Sequence, residues 1–371
     1  MKGSATLELA MAWRWGFFWV WAVPALALNI CQFQAPTTNL LRGEAALTYH
    51  YFEDPATSGV DISTGRFSIS GEWLVDSPSR GIGLAFGGDV TLYGLRLTSV
   101  VARLSSTFRE YPFPELSYFV FGGVEGELNT RYTQPAVEAR AGVGYGRFTD
   151  VTPLVRALRI EERLLQRGAL LAALREGTLL RLAEEIGRRQ MYPSLSDLAS
   201  ALVRILAREA GANLDPRSVL LIEEVLGEQG LERYCGWAAQ FGLGYALSRP
   251  QPGSPLTFNL SMRGAMAPDP RSQILFQADL SAPYQVFEEY TLILNVSYLH
   301  RLNETTSFSA QYSLRQIKPR GQLPAGTQNA AFQLAFKLGG ATVTLQMGFA
   351  KLAEAREWTQ DLRISAGWQI W

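Results

Sequence analysis

The 371-residue chain carries 34 Lys and Arg against 34 Asp and Glu, and this zero net charge without a basic run excludes nucleic acid as an expected partner. Charged residues make up only 18% of the chain and mean hydropathy is +0.01, a profile too apolar for an ordinary water-soluble protein of this size. Beyond the N-terminus no stretch approaches the roughly 18 apolar residues of a membrane helix. A helical membrane protein is thereby excluded and a membrane β-barrel remains, because in a barrel only alternate residues must face lipid.

The N-terminus reads as an export signal over 1–27. Lys2 and Arg14 precede an apolar segment from Trp15 to Leu28, which ends in Ala25-Leu26-Ala27, an A-x-A cleavage pattern. An anchor helix is the alternative, but the segment is short and contains Pro24. Cys31 does not read as a lipid-modified cysteine, since Ile30 stands where a small residue is needed.

Six strands are expected next, near 43–53, 64–76, 81–92, 94–107, 115–129 and 134–149. In "RFSISGEWLV", Phe67, Ile69, Gly71, Trp73 and Val75 share one face, and Arg66, Ser68, Ser70 and Glu72 share the other. Alternation at period two over about ten residues is what a tilted membrane-spanning strand requires. A soluble sandwich also alternates, but its strands average about five or six residues. Tyr and Trp near strand ends (Tyr49, Tyr51, Trp73, Trp237, Tyr290, Tyr298, Trp368) fit interfacial girdles.

Between 150 and 234 the period changes to 3.6. Thr152 is expected to cap a first helix, with Pro153 in its first turn and Gly168 closing it. Thr178 is expected to cap a second, Ser194 or Ser196 a third closed by Gly211, and Asp215 a fourth with Pro216 in its first turn. Charge in this insert is mixed and nearly balanced, as in a solvated subdomain with internal ion pairs. Eight strands then follow, near 235–249, 255–266, 272–282, 288–301, 304–317, 328–338, 341–351 and 358–371. The fold class is thus an all-β transmembrane barrel, antiparallel and up-and-down, of about 14 strands (12–16), with an α-helical insert between strands 6 and 7. Its parts are 1–27, 28–149, 150–234 and 235–371. "GGDVTLYGLRLTSVV" hardly leaves room for a turn between the third and fourth strands.

Connections after odd strands are long or rich in Pro and Gly, whereas those after even strands are tighter. In an outer-membrane barrel this places the insert, which follows strand 6, on the periplasmic side.

Chemistry-bearing residues are few. His50 is expected on the polar face and His300 at a strand end, with no Ser placed beside either, so no catalytic residue and no enzyme activity is expected. No metal-ligand cluster and no cofactor motif is present. "GVGYGRF" alternates its glycines on one face of a strand, where they thin the wall. The polar face sends Arg66, Glu72, Asp89, Glu125, Glu127, Glu138, Arg140, Arg263, Asp279, Arg301, Arg315 and Lys337 into the lumen, either lining a wet pore or pairing to fill a closed one. Cys31 and Cys235 both fall on the periplasmic side, an oxidising compartment, and are a candidate for one disulfide; two unrelated thiols are the alternative.

An export signal, alternating strands to the last residue and the terminal aromatic Trp371 together resemble bacterial outer-membrane β-barrel proteins. Trp371 departs from that pattern, since Leu362, Ile364, Ala366, Trp368 and Ile370 share a face without it. The resemblance implies residence in the outer membrane, with the lipid bilayer as the main partner. The expected function is a passive pore or small-solute transporter. The alternative is a barrel that anchors the helical insert to a periplasmic protein, and a membrane-embedded lipid hydrolase is the remote third.

Overall fold

A computed structural model describes residues 29–33, 38–52, 62–94, 96–113, 115–209, 214–228, 230–250, 254–283, 288–338, 341–353, 355 and 357–368. In β1, at Ile62, Glu72, Leu338 and Ala341, and at 366–368, the backbone alone is described. The export-signal segment, Gly211 and Trp371 lie outside the described residues, as do the side chains of His50, Tyr49, Tyr51 and Trp368.

Fourteen antiparallel strands form one sheet in strict chain order. They are β1 (Thr38–Phe52), β2 (Ile62–Asp76), β3 (Arg80–Tyr93), β4 (Arg96–Glu110), β5 (Tyr118–Asn129), β6 (Ala136–Asp150), β7 (Tyr234–Ser248), β8 (Leu256–Met266), β9 (Ser272–Pro283), β10 (Tyr290–Arg301), β11 (Thr306–Lys318), β12 (Ala325–Leu338), β13 (Ala341–Lys351) and β14 (Thr359–Trp368). Chain neighbours pair antiparallel, for example with Gly71 opposite Phe86 and Glu125 opposite Glu138. The tight β3–β4 turn is made by Gly94, whose φ of 51° lies in the left-handed region and costs glycine little. Its N–H donates to Ser63 O at 2.9 Å.

The sheet curls. Leu74 of β2, Arg109 of β4, Phe148 of β6, Gln240 of β7, Arg263 of β8, Gln277 of β9, Asn295 of β10, Gln311 of β11 and Asn329 of β12 all line one cavity of about 470 Å³. That defines an inner face, and it is the polar half of the alternation. The outer half is apolar and uncovered: Phe67, Trp73, Phe86, Leu104, Val143, Trp237, Phe241, Leu260, Phe332, Met347 and Ile364 are all exposed, Leu104 at 60% and Ile364 at 73%. On this face the Phe86 ring lies over Gly71, where a Cβ would collide with it.

Glycines open the inner wall at β6 and β7. A Cβ at Gly144 would strike the Phe119 ring, and one at Gly242 would stand 2.7 Å from Phe121. These glycines thus seat two inward-facing rings of β5, rather than only thinning the wall. Phe119 is 2% exposed and stacks edge-on to Tyr111 at 5.5 Å.

Four helices interrupt the sheet between β6 and β7: α1 (Thr152–Gln166), α2 (Glu176–Gly187), α3 (Leu195–Glu209) and α4 (Pro216–Gly227). Apolar positions three and four apart bury Leu154, Ile160, Leu164, Leu182, Leu198, Leu202, Leu206 and Ile222, which are all fully buried. Ile30 and Phe33, from the segment before β1, join this core. Two caps differ from the sequence reading. Thr152 is the first helical residue rather than the cap, and its hydroxyl accepts from Arg233 N–H at 3.0 Å. Thr178 lies inside α2, buried. Ser194 does cap α3, accepting from Asp197 N–H at 3.1 Å, and Asp215 caps α4, accepting from Ser218 N–H at 2.8 Å. Gly168, at φ 75°, follows α1 as expected.

Candidate functional site: the inner face and its mouth

The inner face divides into two walls. On β2 to β6 several charges are paired within a strand or across neighbouring strands. Arg66 holds Asp89 at 2.6 Å and Arg103 holds Glu127 at 2.9 Å. Glu125 and Glu138 stand directly opposite each other in the β5–β6 ladder, and Arg140 bridges both, at 2.7 and 2.6 Å. Like charges at that register repel, so the shared arginine is what makes the pairing tolerable. Glu138 also accepts from Thr257 at 3.0 Å and from Asn259 at 3.3 Å, both on β8. The carboxylate reaches β8 across β7 because Gly244 has no side chain: a Cβ there would collide with Glu138 Oε1 and Thr257 Oγ1.

On β8 to β12 carboxamides and hydroxyls outnumber charges. Asp279 accepts from Ser261 at 2.6 Å and from Gln277 at 2.6 Å, and beyond it the cavity meets Asn295, Ser297, Gln311, Ser313 and Asn329. Arg263 faces the same space from β8. Arg315 of β11 is exposed, and Lys337 of β12 borders a smaller space of about 290 Å³ that it shares with Gly230, Leu299 and Ser307. Glu72 lies in β2, and its side chain is outside the described residues.

Arg301 belongs to the mouth. It closes an ion pair with Glu228, at the end of α4. Around it Arg159 contacts Glu162 at 2.7 Å and Glu304 at 3.2 Å, Arg163 contacts Glu304 at 3.0 Å, and Arg271 contacts Glu162 at 2.7 Å. Glu304 lies in the β10–β11 turn and Arg271 in the β8–β9 turn, so these pairs fasten α1 and α4 to the sheet end. Burial alone would raise the Glu162 carboxyl, but hydrogen bonds and charge from Arg159 and Arg271 outweigh it and hold it below the ordinary value of 4.5. Arg233 is 1% exposed and its guanidinium donates to Gly230 O at 3.1 Å, Glu232 O at 2.8 Å and Arg271 O at 3.1 Å. Burial pushes this guanidinium below the usual arginine value, with Glu232 opposing.

Cys31 and Cys235 are joined in a disulfide, with Cα atoms 5.3 Å apart. Cys235 is the second residue of β7, so the bond fixes the N-terminal segment where the insert rejoins the sheet.

A serine does stand beside a histidine, contrary to the sequence reading. Ser272 Oγ is 2.8 Å from His300 Nδ1, because Ser272 and His300 pair in the β9–β10 ladder. The hydroxyl also lies 2.7 Å from Asp269 Oδ2 and donates there. Ser272 is 3% exposed, and its hydroxyl is held between the Asp269 carboxylate and the His300 imidazole. The trio ties the β8–β9 turn to β10; it lacks the Ser–His–Asp order of a nucleophilic site. Among the described residues no group of three or more His, Cys, Asp or Glu could hold a metal ion.

Sequence reasoning passed over Arg103 and Arg109 of β4 and the carboxamide wall. Arg103 was within reach from the alternation of "VARLSSTFRE"; Arg109 lay beyond the expected end of that strand. No protein-family model matches the chain, and no curated protein matches it.

Proposed function

We propose that the sheet closes, β14 against β1, into a barrel set in a bacterial outer membrane, where it passes small polar solutes. The observation that carries this reading is the outer face. Large apolar side chains are exposed on β2 to β8 and on β12 to β14, an apolar face that spans most of the sheet, which soluble monomers rarely leave uncovered. Lipid is the solvent that fits them, and the polar inner face around a cavity is what remains for water. Tyr118, Tyr145 and Trp237 cluster on the outside toward the insert end, ring centroids 4.8 and 5.5 Å apart, as an interfacial girdle does. The disulfide supports export to an oxidising compartment.

In this reading the insert follows an even strand and stands in the periplasm. It stands at the mouth, where Gly230 and Lys337 border a space of about 290 Å³. The protein is then no enzyme and needs no cofactor. Single-channel recording of the purified full chain in planar bilayers tests the proposal, with discrete open steps as the expected result. A barrel that inserts and stays sealed would favour the alternative, an anchor presenting its helices to a periplasmic partner.

A further inference from the structure

We infer that the inner cavity binds a small hydroxylated organic anion, with Arg263 and Arg109 receiving its carboxylate or phosphate and the carboxamide wall its hydroxyls. This rests on the pore reading and gives that pore a class of solute.

The inner acids on β3, β5 and β6, Asp89, Glu125, Glu127 and Glu138, already answer to arginines on their own or adjacent strands. Arg263 has no ion pair among the described residues. The acid nearest in register, Asp279, is engaged by Ser261 and Gln277 instead. Arg109 borders the same cavity from β4, its guanidinium 5.3 Å over the Phe119 ring and its Nε buried without a hydrogen-bond partner. Two cations thus border one cavity, and the carboxylate that acts on Arg109 is Asp76, buried at the end of β2. Low-dielectric walls strengthen the field such a pair exerts on an entering anion.

The facing strands supply the rest. Asn295, Ser313 and Asn329 stand opposite one another on β10, β11 and β12, with Gln311 two residues before Ser313, and the carboxamides offer both donors and acceptors. Asn329 already tests such a bond, to Ser313 Oγ at 3.5 Å. A carboxamide and a hydroxyl that meet only at that distance suit a ligand with several hydroxyl groups. The cavity, about 470 Å³, lies in the range of small-molecule sites.

The test is isothermal titration of the full chain, folded in detergent, with three probes: gluconate, glucose 6-phosphate and the neutral polyol sorbitol. We expect heat from gluconate, glucose 6-phosphate or both, none from sorbitol, and at least tenfold weaker binding in Arg263→Gln. Arg263→Lys should retain part of the affinity, and heat-modifiable migration on a gel verifies that each variant folds. Equal binding of sorbitol and gluconate by the unmutated chain overturns the inference without any variant, as does silence toward both anions. Unchanged anion binding in folded Arg263→Gln overturns it too. Binding is read here without a membrane, so absent conductance would count against the pore alone.

Discussion

The described hydrogen bonds of the Arg233 guanidinium all end on backbone carbonyls. Arg233 satisfies carbonyls of Gly230, Glu232 and Arg271 while its backbone N–H donates to Thr152, so one residue ties both ends of the insert to the β8–β9 turn. Arg233→Met keeps the stem and orphans those carbonyls, each worth about 1–3 kcal/mol when buried and unpaired. Hydrogen exchange should then quicken at the start of α1 and at 230–234, and unchanged protection there would refute the role. Glu162 gives a pH dependence. Its folded value is lowered, so its contribution is complete above 4.5 and is lost as pH falls through that lowered value. It sits among Arg159, Arg163, Arg271, Arg301, Glu228 and Glu304, and acidification should loosen α1 from the sheet end. In Glu162→Gln part of that loosening should already be present at neutral pH; a variant with the unmutated profile would remove Glu162 from the account. Legibility at this scale was uneven. Charged inner positions followed from alternation alone, but the partner of each did not, because Glu138 meets Thr257 only through the gap at Gly244, and pairing is a property of three strands together.

The elements themselves were legible almost to their ends. Strand and helix differ in period, and here each period persists for ten residues or more, so β3 and β4 separate even across a turn as short as Gly94 permits. Where the reading slipped, a distant residue had taken the local partner: Thr152 could have capped α1, but Arg233 engages its hydroxyl from 81 positions away. Ser194 and Asp215 cap as expected, each side chain bonding within the first turn of its own helix. The insert has its own core, and this separates its stability from that of the sheet. Leu164→Ala, at a site with no exposure, should cost the insert about 2–5 kcal/mol. Protease should then cut at 167–175 or 188–194 while the strands keep their heat-modifiable migration. Loss of that migration in the variant would mean that sheet and insert fold as one unit.

At the scale of the whole molecule the decisive features join parts far apart in sequence, and these were the least readable. Alternation says which face is polar, but not that nine strands gather around one cavity, nor that the turns after β8 and β10 hold the insert by ion pairs. The link between Cys31 and Cys235 spans 204 residues. From the sequence it was one of two alternatives, since compartment and reach allow such a bond without bringing the atoms together. Its consequence is mechanical. Ile30 and Phe33 pack into the helical core on either side of Cys31, so the bond and the burial hold the same short segment against the insert. Loop closure of this length constrains the unfolded chain by about 5 kcal/mol on the chain-entropy account. Cys31→Ser should therefore leave the sheet folded but free the segment before β1. Thiol labelling of the denatured, unreduced parent should find no free thiol, and the variant should show one. Proteolysis near 29–33, slow in the parent, should become fast in Cys31→Ser, and an equal rate in both would show that apolar burial alone holds the segment in place.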